Sequence, residues 1–508
     1  MEEEKMKVIN LPNKFNHAEQ VSDVEKCIGD SRAKFNIIVS EIINSRDLEA
    51  HKAESMIFKR LLELGLFLLN LYFVNHNQGD YGKTLETAQG QAKRGRAIKK
   101  TYFSIFGKIK VTRYLYHTDK ESFAPLDILL NLPIRCYSYF LSEMFNLLNI
   151  KDAYSEGVFF IKKFFGKQVS VSASETISGE SSSCYEEFYE LKNTLKKLGE
   201  KKDFTAVSFD GKGVPMIKKE AVKITGRQGK GKKKQKKKES LVGVKYNINA
   251  NIRTADEVAN NLVYPEKKKN ENEIKQEKAK DIRYIASIAK PKKEVMKEIY
   301  DELKNENFIN KPLLCLMDGS LYLWNQLKTV FKDITNKVCI LDIIHVLEYI
   351  WLIAHIKHKE SSDGAKKYVF KKLKLILEGN ISSYIMELQT EKQLNKWKKK
   401  SHQEKFNKVI TYLKNHKQYM KYDEYLSKGY PIGTGIVESA CSHVVKDRME
   451  ISGARWGING AESVLRLRSI VKSKDWDNYW EFFTIQARDN EFLSDDYNSF
   501  NIQEKIYA

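Results

Sequence analysis

Three short apolar segments that each end in an aspartate constrain the fold of this chain most strongly. The segments FTAVSFDG, PLLCLMDG and NKVCILDI carry Asp210, Asp318 and Asp342 at their ends. Short apolar runs closed in this way are typical of buried β-strands. In open α/β sheets, ligand sites lie off the carboxyl ends of the strands. The sequence therefore predicts an α/β fold with acidic side chains exposed at the sheet edge.

The rest of the chain contributes mostly helical patterns. Apolar residues recur at helical spacing between residues 15 and 75, and the Lys-rich stretch from His345 to about Tyr425 contains no strand-like run. A hairpin is predicted around Gly107, in TYFSIFGKIKVTRYLYH, and LVGVKYNINANI is predicted to be a strand. The charged segment PEKKKNENEIKQEKAKD is predicted to be a linker or the start of a surface helix. The segment DWDNYWEFFTIQARDNEF is expected to form a closing helix.

A helix-turn-helix candidate lies between residues 136 and 200. Two short helical patterns, YFLSEMFNLLN and DAYSEGVFFIKKFFG, are separated at Gly166 from a third that begins in VSVSASETIS. Ser172 and Glu175 match a capping box at the start of that third helix. Its polar groups, within Ser170 to Ser183, are expected to reach base edges. A plain helical bundle has the same pattern, so this region is a hypothesis for DNA binding.

The charge of the chain points to a polyanionic partner. The 508 residues include 87 Lys and Arg against 66 Asp and Glu, a net charge of +21. Such an excess favours phosphate-rich partners, which are nucleic acid or an anionic membrane surface. No secretory signal or spanning segment is recognised, since Leu61 to Val74 is short and contains Glu63; it is expected to be a buried amphipathic helix. Six cysteines without a CxxC pair argue against disulfides and zinc fingers. A cytoplasmic protein is expected.

A run of lysines follows the strand that carries Asp210. The segment RQGKGKKKQKKKE is too densely charged to pack, so it is expected to be a solvated loop. A flexible hairpin tip without a specific role is one interpretation. A clamp on DNA phosphates is the favoured one, because the loop springs from the strand of a candidate acid. The lysines assigned to it are Lys232, Lys233, Lys234, Lys236, Lys237 and Lys238.

A third candidate acid stands near the C-terminal end. Glu438 lies in the first turns of a helix that opens at Gly433-Thr434-Gly435, where the helix dipole favours an ionised carboxylate. Asp210, Asp318 and Glu438 would offer only hard oxygen ligands, which suit Mg²⁺ or Mn²⁺. Two such ions about 3.5–4 Å apart activate an attacking oxygen and stabilise a leaving oxygen at a phosphodiester. Each acid taken alone is more often a turn or cap residue.

Four blocks of the sequence resemble a known family. SFDGKGVPM, CLMDGS, LDIIHVLEYIW and GTGIVESACSHVVKDRMEISGARWGINGAESVLRLRS are similar to blocks of bacterial insertion-sequence transposases of the Kra and Lre types. The resemblance runs from about Ala206 to Ile470, and the last block is the most specific. It implies a DDE recombinase with a ribonuclease-H-like core. It places the two catalytic aspartates at Asp210 and Asp318 and the glutamate at Glu438.

The same resemblance explains the spacing of the acids. Glu438 follows Asp318 by 438 − 318 = 120 residues, and the helical stretch after Asp342 accounts for this distance as an insertion of the Mutator-like kind. Asp342 and His345 resemble the D-x-x-H element that precedes such insertions, so His345 is expected to hold scissile DNA or support the acids. A buried core pair is the alternative. A separate metal site with Glu348 and Cys339 is disfavoured because no second ligand pair matches.

Basic residues close behind Glu438 are further candidates for DNA contact. Lys446, Arg448 and Arg455 are expected to hold phosphates that flank the cut. The alternative is that Arg448 pairs with Asp447 or Glu450 at the surface. Trp456 fits either base stacking or the core, and the sequence does not choose between them.

The sequence thus predicts an α/β fold: a ribonuclease-H-like catalytic core with a large all-helical insertion, preceded by a mainly helical N-terminal DNA-binding region. The expected activity is DDE transposition with two Mg²⁺ (or Mn²⁺) ions on double-stranded DNA, by a homo-oligomer. The alternatives are a ribonuclease-H-like nuclease or resolvase, and a domesticated transposase that only binds DNA. The expected domains are 1–135, a helical region with a hairpin; 136–200, the helix-turn-helix candidate; 203–342, the first part of the core; 343–430, the insertion; and 431–508, the glutamate helix with the C-terminal helices.

Overall fold

The computed structural model has a mixed α/β architecture, as the sequence predicts. It describes residues 21–87, 90–119, 122–195, 203–224, 236–265, 278–304, 311–394, 399–451 and 453–492. The chain divides into two compact units. The first, here called the N-terminal unit, comprises Met1–Leu195 together with Asp475–Ala508, and the second, the central unit, comprises Lys196–Lys474.

The described residues form helices and strands in the following order along the chain. The helices are α1 Val21–Asn44, α2 Ala50–Val74, α3 Pro125–Leu129, α4 Tyr139–Asn149, α5 Tyr154–Phe165, α6 Val171–Ser181, α7 Tyr185–Thr194, α8 Lys218–Ala221, α9 Ala255–Val263, α10 Lys292–Leu303, α11 Leu321–Val330, α12 Ile343–Lys357, α13 Asp363–Leu377, α14 Ile381–Gln393, α15 Lys400–His416, α16 Tyr422–Ser427, α17 Gly435–Ala440, α18 Asp447–Met449, α19 Ile458–Lys472 and α20 Trp476–Phe492. The strands are β1 Thr84–Thr87, β2 Gly90–Ser104, β3 Gly107–His117, β4 Ser122–Phe123, β5 Phe204–Pro215, β6 Lys237–Ile248, β7 Lys280–Ser287, β8 Leu313–Met317 and β9 Lys337–Leu341.

The N-terminal unit contains an antiparallel four-stranded sheet in the order β1-β2-β3-β4. The predicted hairpin around Gly107 is confirmed as the long β2–β3 pair, in which Ser104 lies opposite Gly107. Helix α2 was expected to be buried, and this is wrong for much of its apolar surface. Leu61, Phe67 and Leu68 are each more than one-third exposed. No helix among the described residues has the length and apolar character needed to cross a membrane.

The three helices of the helix-turn-helix candidate are present, but the start of the third differs from the prediction. Gly166 ends α5 in the left-handed conformation, at a φ of +63°. The N-cap of α6 is Ser170, whose hydroxyl accepts a hydrogen bond from the backbone N–H of Ala173 at 3.1 Å. The predicted capping box of Ser172 and Glu175 is therefore wrong, because both residues already lie inside the helix.

The C-terminal helix α20 belongs to the N-terminal unit rather than to the segment that carries Glu438. The Tyr189 hydroxyl donates to the carboxylate of the buried residue Asp475 at 3.0 Å, and the Tyr479 hydroxyl donates to the Ser181 carbonyl at 2.6 Å. These bonds join residues nearly 300 positions apart, a closure that sequence periodicity does not reveal. The boundary of the central unit thus falls before Asp475 instead of at the end of the chain.

The central unit is built on a five-stranded mixed sheet in the order β7-β6-β5-β8-β9. Strands β5, β6 and β7 pair antiparallel, and β8 and β9 run parallel to β5. Strand β7 was not predicted, because its sequence KDIRYIAS follows a charged segment and includes a buried arginine. Arg283 of β7 donates to Glu302 at 3.0 Å, and Lys245 lies 2.7 Å from the same carboxylate, so the ions are buried as a paired group.

Helices occupy the interval between β9 and the segment of Glu438. Helices α12 to α16 cover it within the described residues, which confirms the prediction of an all-helical stretch from about residue 345 to 425. We call residues 343–430 the helical insertion. Buried apolar residues of α13, α14 and α15, such as Leu373, Leu388 and Phe406, give it a core.

Candidate functional site

The strand register brings three aspartates to one edge of the five-stranded sheet. Phe209 of β5 is the parallel partner of Met317 of β8, and Met317 is the partner of Leu341 of β9. The next residue after each of these is an aspartate: Asp210, Asp318 and Asp342. Strands β8 and β9 end at this point, as predicted, whereas β5 continues past Asp210 to Pro215 in its pairing with β6, so the prediction that this strand closes at Asp210 is wrong. The parallel register still sets the three aspartates side by side. We call this group the acidic edge.

Asp342 is fully engaged in hydrogen bonds within the protein. It is completely buried and caps α12: its Oδ2 accepts from the backbone N–H of His345 at 3.1 Å and contacts His345 Nδ1 at 2.7 Å. Its Oδ1 accepts from the backbone N–H of Thr434 at 2.9 Å. Asp342 therefore ties β9 and the start of the helical insertion to the loop that precedes Glu438. Asp342 is therefore an organising residue of this part of the sheet.

Glu438 is positioned by that loop. It lies in the first turn of α17, and the Thr434 hydroxyl donates to its Oε1 at 3.1 Å. The backbone N–H of Ile343 also donates to the Ile432 carbonyl at 2.9 Å, which fixes the loop a second time. The predicted helix start at residues 433–435 is confirmed, with Thr434 as the N-cap. The Thr434 hydroxyl makes no capping hydrogen bond to the helix backbone, and its role is to orient the Glu438 carboxylate.

A thiol joins the glutamate helix to the first strand. Cys441 follows Glu438 by three residues and is buried, and its Sγ donates to Asp210 Oδ2 at 3.3 Å. Burial, and then the nearby carboxylate of Asp210, raise the pKa of the Cys441 thiol, so it remains a proton donor at neutral pH. This contact links Glu438 to Asp210 through one helical turn. The sequence analysis overlooked it, although a spacing of three places residues 438 and 441 on one helix face.

The helix after Glu438 is irregular, and a buried arginine stabilises it. Residues Cys441–Lys446 form a π-helical turn between α17 and α18. The guanidinium of Arg468, on α19, donates to the carbonyls of Val444, at 2.6 Å, and His443. A wide π turn weakens the regular carbonyl pairing of a helix, and charged donors compensate for it. Single π turns inside helices are frequent at functional sites.

The pKa values of Asp210 and His345 are both shifted by their surroundings at the acidic edge. Burial raises the pKa of Asp210 above its ordinary value, and the carboxylate of Asp318 raises it further, while the Cys441 thiol opposes both. The Asp342 carboxylate raises the pKa of His345 to about 9, and Asp318 contributes to the same effect. His345 is therefore an imidazolium at neutral pH, and it provides one positive charge beside three carboxylates.

Two of the predicted metal ligands, Asp318 and Glu438, each have a carboxylate oxygen that could bind a metal ion. Asp318 accepts a hydrogen bond at Oδ1 from the backbone N–H of Ser320, and Glu438 accepts one at Oε1, and no donor reaches the second oxygen of either among the described residues. Asp342, His345 and Glu438 form a group that could hold a metal ion: each offers one ligand atom, and the three atoms lie within 4.8 Å of one another. Glu438 is the member of that group that is also among the metal ligands predicted from the sequence. Cys339, considered with His345 from sequence, instead lies beside Cys315 on the neighbouring strand.

The helical insertion contributes a side chain that the sequence analysis missed. Tyr412 of α15 lies over Gly319, the residue after Asp318: a Cβ at Gly319 would be 2.2 Å from the Tyr412 ring and 2.7 Å from its hydroxyl. The Tyr412 ring stacks on Tyr349 with centroids 3.9 Å apart. Its hydroxyl is buried and has no hydrogen-bond partner among the described residues. Glycine is therefore required at 319 for the insertion to approach the acidic edge.

The residues predicted to contact DNA differ in their surroundings. Lys446 and Arg455 are exposed, as such a role requires, and Lys237 pairs with Glu450. Lys232, Lys233 and Lys234 lie outside the described residues. The prediction for Arg448 needs correction: it is 2% exposed, and its guanidinium lies 4.7 Å from the centroid of the buried Trp456 ring. Both residues belong to the core, where the indole face offsets the buried charge. The other predicted contacts, Lys236, Lys238 and His345, are at least partly exposed.

Comparisons with known proteins add little to this geometry. No family model matches the chain, and no curated protein matches it. Among solved structures, a chain of the Drosophila P element transposase strand transfer complex aligns with 73% of this chain and 91% of its own length, at 9% identity and a TM-score of 0.23. A TM-score that low does not establish a shared fold.

Proposed function

We propose that this protein is a metal-dependent enzyme that cuts and joins DNA, a DDE transposase with a ribonuclease-H-like core. The observation that carries the proposal is the register that sets Asp210 beside Asp318 on adjacent parallel strands, with Cys441 holding the helix of Glu438 against Asp210. An antiparallel β5-β6-β7 meander extended by the parallel strands β8 and β9 is the arrangement expected of such a core. The resemblance of four sequence blocks to insertion-sequence transposases supports the same class.

The proposed metal ligands are Asp210, Asp318 and Glu438. All three are partly exposed carboxylates, and their oxygens are the ligands that Mg²⁺ and Mn²⁺ prefer. Two bound ions would activate the attacking oxygen and stabilise the leaving oxygen at a phosphodiester. Burial, and to a smaller extent the carboxylate of Asp318, raise the pKa of Asp210, and a bound cation would stabilise the ionised form of both acids.

The protein's own residues orient these ligands. Thr434 fixes the Glu438 carboxylate, and Cys441 fixes that of Asp210. Asp342 holds the Thr434 loop and keeps His345 protonated. The imidazolium of His345 is partly exposed, and its proposed role is to contact a phosphate oxygen of bound DNA. The basic chain as a whole provides affinity for the DNA backbone.

The DNA substrates are the two ends of a bacterial mobile element and a target duplex. Since two ends must be joined to one target, the active form is proposed to be a homo-oligomer. The expected reaction cleaves the end of the element and then uses the new 3′-OH to attack target DNA.

The experiment that tests this function uses the DNA that borders the gene. Labelled duplexes from both borders are incubated with the protein and a supercoiled plasmid, with Mg²⁺ or Mn²⁺ or with EDTA. A transposase produces cleavage at the element end and a labelled plasmid product, both only with metal. Cleavage without joining would identify a nuclease or resolvase, and binding without cleavage would identify a domesticated DNA-binding protein.

A further inference from the structure

The β2–β3 hairpin of the N-terminal unit has an unusual distribution of charge. The two strands together contain eight basic residues of the Lys and Arg types and no aspartate or glutamate. Three of the eight are paired with acids from other elements: Arg94 with Asp80, and Lys100 and Arg113 with Asp127. The remaining five have no ion pair among the described residues, and all are exposed: Lys93, Arg96, Lys99, Lys108 and Lys110.

The pairing register sorts these residues by face. Lys100 and Arg113 lie on the face that packs against α3, where Asp127 is buried. The opposite face carries Lys99 opposite Thr112 and Lys110 opposite Thr101, and Lys108 follows one pair further on, opposite Phe103. Side chains two residues apart on a strand are spaced by about 6.8 Å, and directly opposite ones by about 5 Å. We call these three lysines and two threonines the basic ribbon face.

This face is built to receive anions from solution. The Lys110 ammonium donates to the Thr101 hydroxyl at 3.0 Å, which holds one cation in place on the surface. Lys108 lies over the Phe103 ring with its Nζ 5.1 Å from the centroid, which holds a second. Like charges at such spacing repel one another, and a row of phosphates relieves that repulsion. Hydroxyl groups of threonine are further donors to phosphate oxygens.

Helix α6, where base contacts were expected, has the opposite character. Its serines Ser174 and Ser178 are buried and accept from the Asn149 amide at 2.9 and 3.0 Å, so they do not face solvent. Its exposed surface carries Glu175, and Glu180 in an ion pair with Arg135, and it carries no basic residue. The carboxylate of Glu175, which has no ion pair among the described residues, would repel DNA phosphates. Of the two surfaces, α6 and the hairpin, the hairpin is therefore the one whose charge complements a nucleic acid.

We propose that the basic ribbon face binds the phosphate backbone of duplex DNA through Lys99, Lys108 and Lys110. The choice of DNA as the polyanion rests on the proposed function, whereas the binding surface itself rests on the charge and register of the hairpin. Two-stranded ribbons are an established way to contact duplex DNA. Backbone contacts of this kind position a protein on DNA without reading its sequence.

The test measures DNA binding by the full chain without metal, so that it is independent of cleavage. The variant Lys99→Ser/Lys108→Ser/Lys110→Ser is compared with wild type by fluorescence anisotropy of a labelled duplex over a series of salt concentrations. A control variant, Lys26→Ser/Lys59→Ser/Lys151→Ser, removes the same charge from exposed lysines of the same unit that form no ion pair among the described residues. A second control, Lys99→Arg/Lys108→Arg/Lys110→Arg, keeps the charge.

The ribbon variant is expected to flatten the slope of log K against log salt by about 0.9 for each phosphate that is no longer neutralised, or about 2.7 for three. The arginine variant should keep the wild-type slope, and the control triple variant should change it by less than about 0.9. Equal slopes for the two serine variants would overturn the proposal, as would a ribbon effect on binding to anionic phospholipid vesicles but not to duplex DNA. A flattened slope for the ribbon variant, combined with no metal-dependent cleavage by wild type, would contradict the proposed function and leave the ribbon assignment in place.

Discussion

The two sheets of this protein arrange charged side chains in opposite ways. In the five-stranded sheet, three aspartates each follow the residue at which the parallel pairing of β5, β8 and β9 ends, so the register gathers acids at one level of the sheet. In the four-stranded sheet, alternating residues of β2 and β3 spread lysines over a face, and neither strand contains a carboxylate. The clustered aspartates of the acidic edge suit the concentrated charge of a metal ion, whereas the lysines spread along the basic ribbon face suit an extended polyanion. Chemistry and affinity are therefore expected to be separable by mutation.

The largest effect is expected from the proposed metal ligands. Asp210→Ala, Asp318→Ala and Glu438→Ala should each lower DNA cleavage by at least about a thousandfold, because each removes a ligand worth several kcal/mol of transition-state stabilisation. DNA affinity should stay equal or increase slightly, since a negative charge near the phosphates is removed. Cleavage assays and anisotropy on the same preparations measure both. Near-normal cleavage by any one variant would remove that residue from the site.

A second prediction concerns the approach of the helical insertion to the acidic edge. Gly319→Ala places a methyl group into the Tyr412 ring, so it should destabilise the protein by about 1–3 kcal/mol and reduce cleavage. Adding Tyr412→Ala should restore part of the stability, which gives a less than additive double-mutant cycle. Gly460→Ala, in α19 with no atom within 4 Å of the new Cβ, is the matched control. Additive free energies of unfolding would show that the two residues do not meet.

A third prediction concerns the Lys-rich run after β5. Replacing Lys232, Lys233, Lys234, Lys236, Lys237 and Lys238 by serine should weaken binding to all DNA sequences alike and flatten the salt slope by about 0.9 for each phosphate released. The change should be smaller than six released phosphates would give, because Lys237 is already paired with Glu450. Salt titrations on random and border duplexes measure it. An unchanged slope would mark the run as an idle loop.

The smallest effect is expected from His345, which contacts Asp342 of the acidic edge. The pKa of His345 is about 9 in the folded protein, above its ordinary value of 6.5, so its protonation favours the folded state. That contribution is fully present below about pH 6.5 and disappears as the pH rises through about 9. The free energy of unfolding in denaturant should therefore fall over this interval, and fall less in His345→Gln. Parallel pH profiles for the two proteins would contradict the Asp342–His345 pairing.

The sequence was informative wherever a local pattern ended at a recognisable residue. Apolar runs closed by aspartate predicted β8 and β9 with their ends and β5 without its extension to Pro215, and the glycine-threonine segment before Glu438 predicted a helix start. Strand β7 was missed because its arginine and its acidic partner become compatible with burial only as a pair. Arg448 was likewise predicted at the surface, because the sequence does not show that its guanidinium packs over the Trp456 ring.

Other parts of the site depend on long-range approach and carry no local signal. Tyr412 reaches Gly319 from 412 − 319 = 93 residues away, and nothing in its own segment distinguishes it from the other tyrosines of the insertion. The buried serines of α6 have the same polar composition as a base-reading helix, and only their hydrogen bonds with Asn149 separate the two roles. The Cys441 contact with Asp210 was only partly predictable. The sequence shows that Cys441 lies one helical turn after Glu438, but it does not show that the thiol reaches Asp210.

The central claim is that Asp210, Asp318 and Glu438, and not the basic ribbon face, hold the divalent metal. Its most direct test is the binding of Mn²⁺ to the full chain without DNA, followed by the electron paramagnetic resonance signal of free Mn²⁺ during titration. Wild type and the Lys99→Ser/Lys108→Ser/Lys110→Ser variant are predicted to bind Mn²⁺ equally, whereas Asp318→Asn should abolish most of the binding. Equal Mn²⁺ binding by wild type and Asp318→Asn would contradict the account.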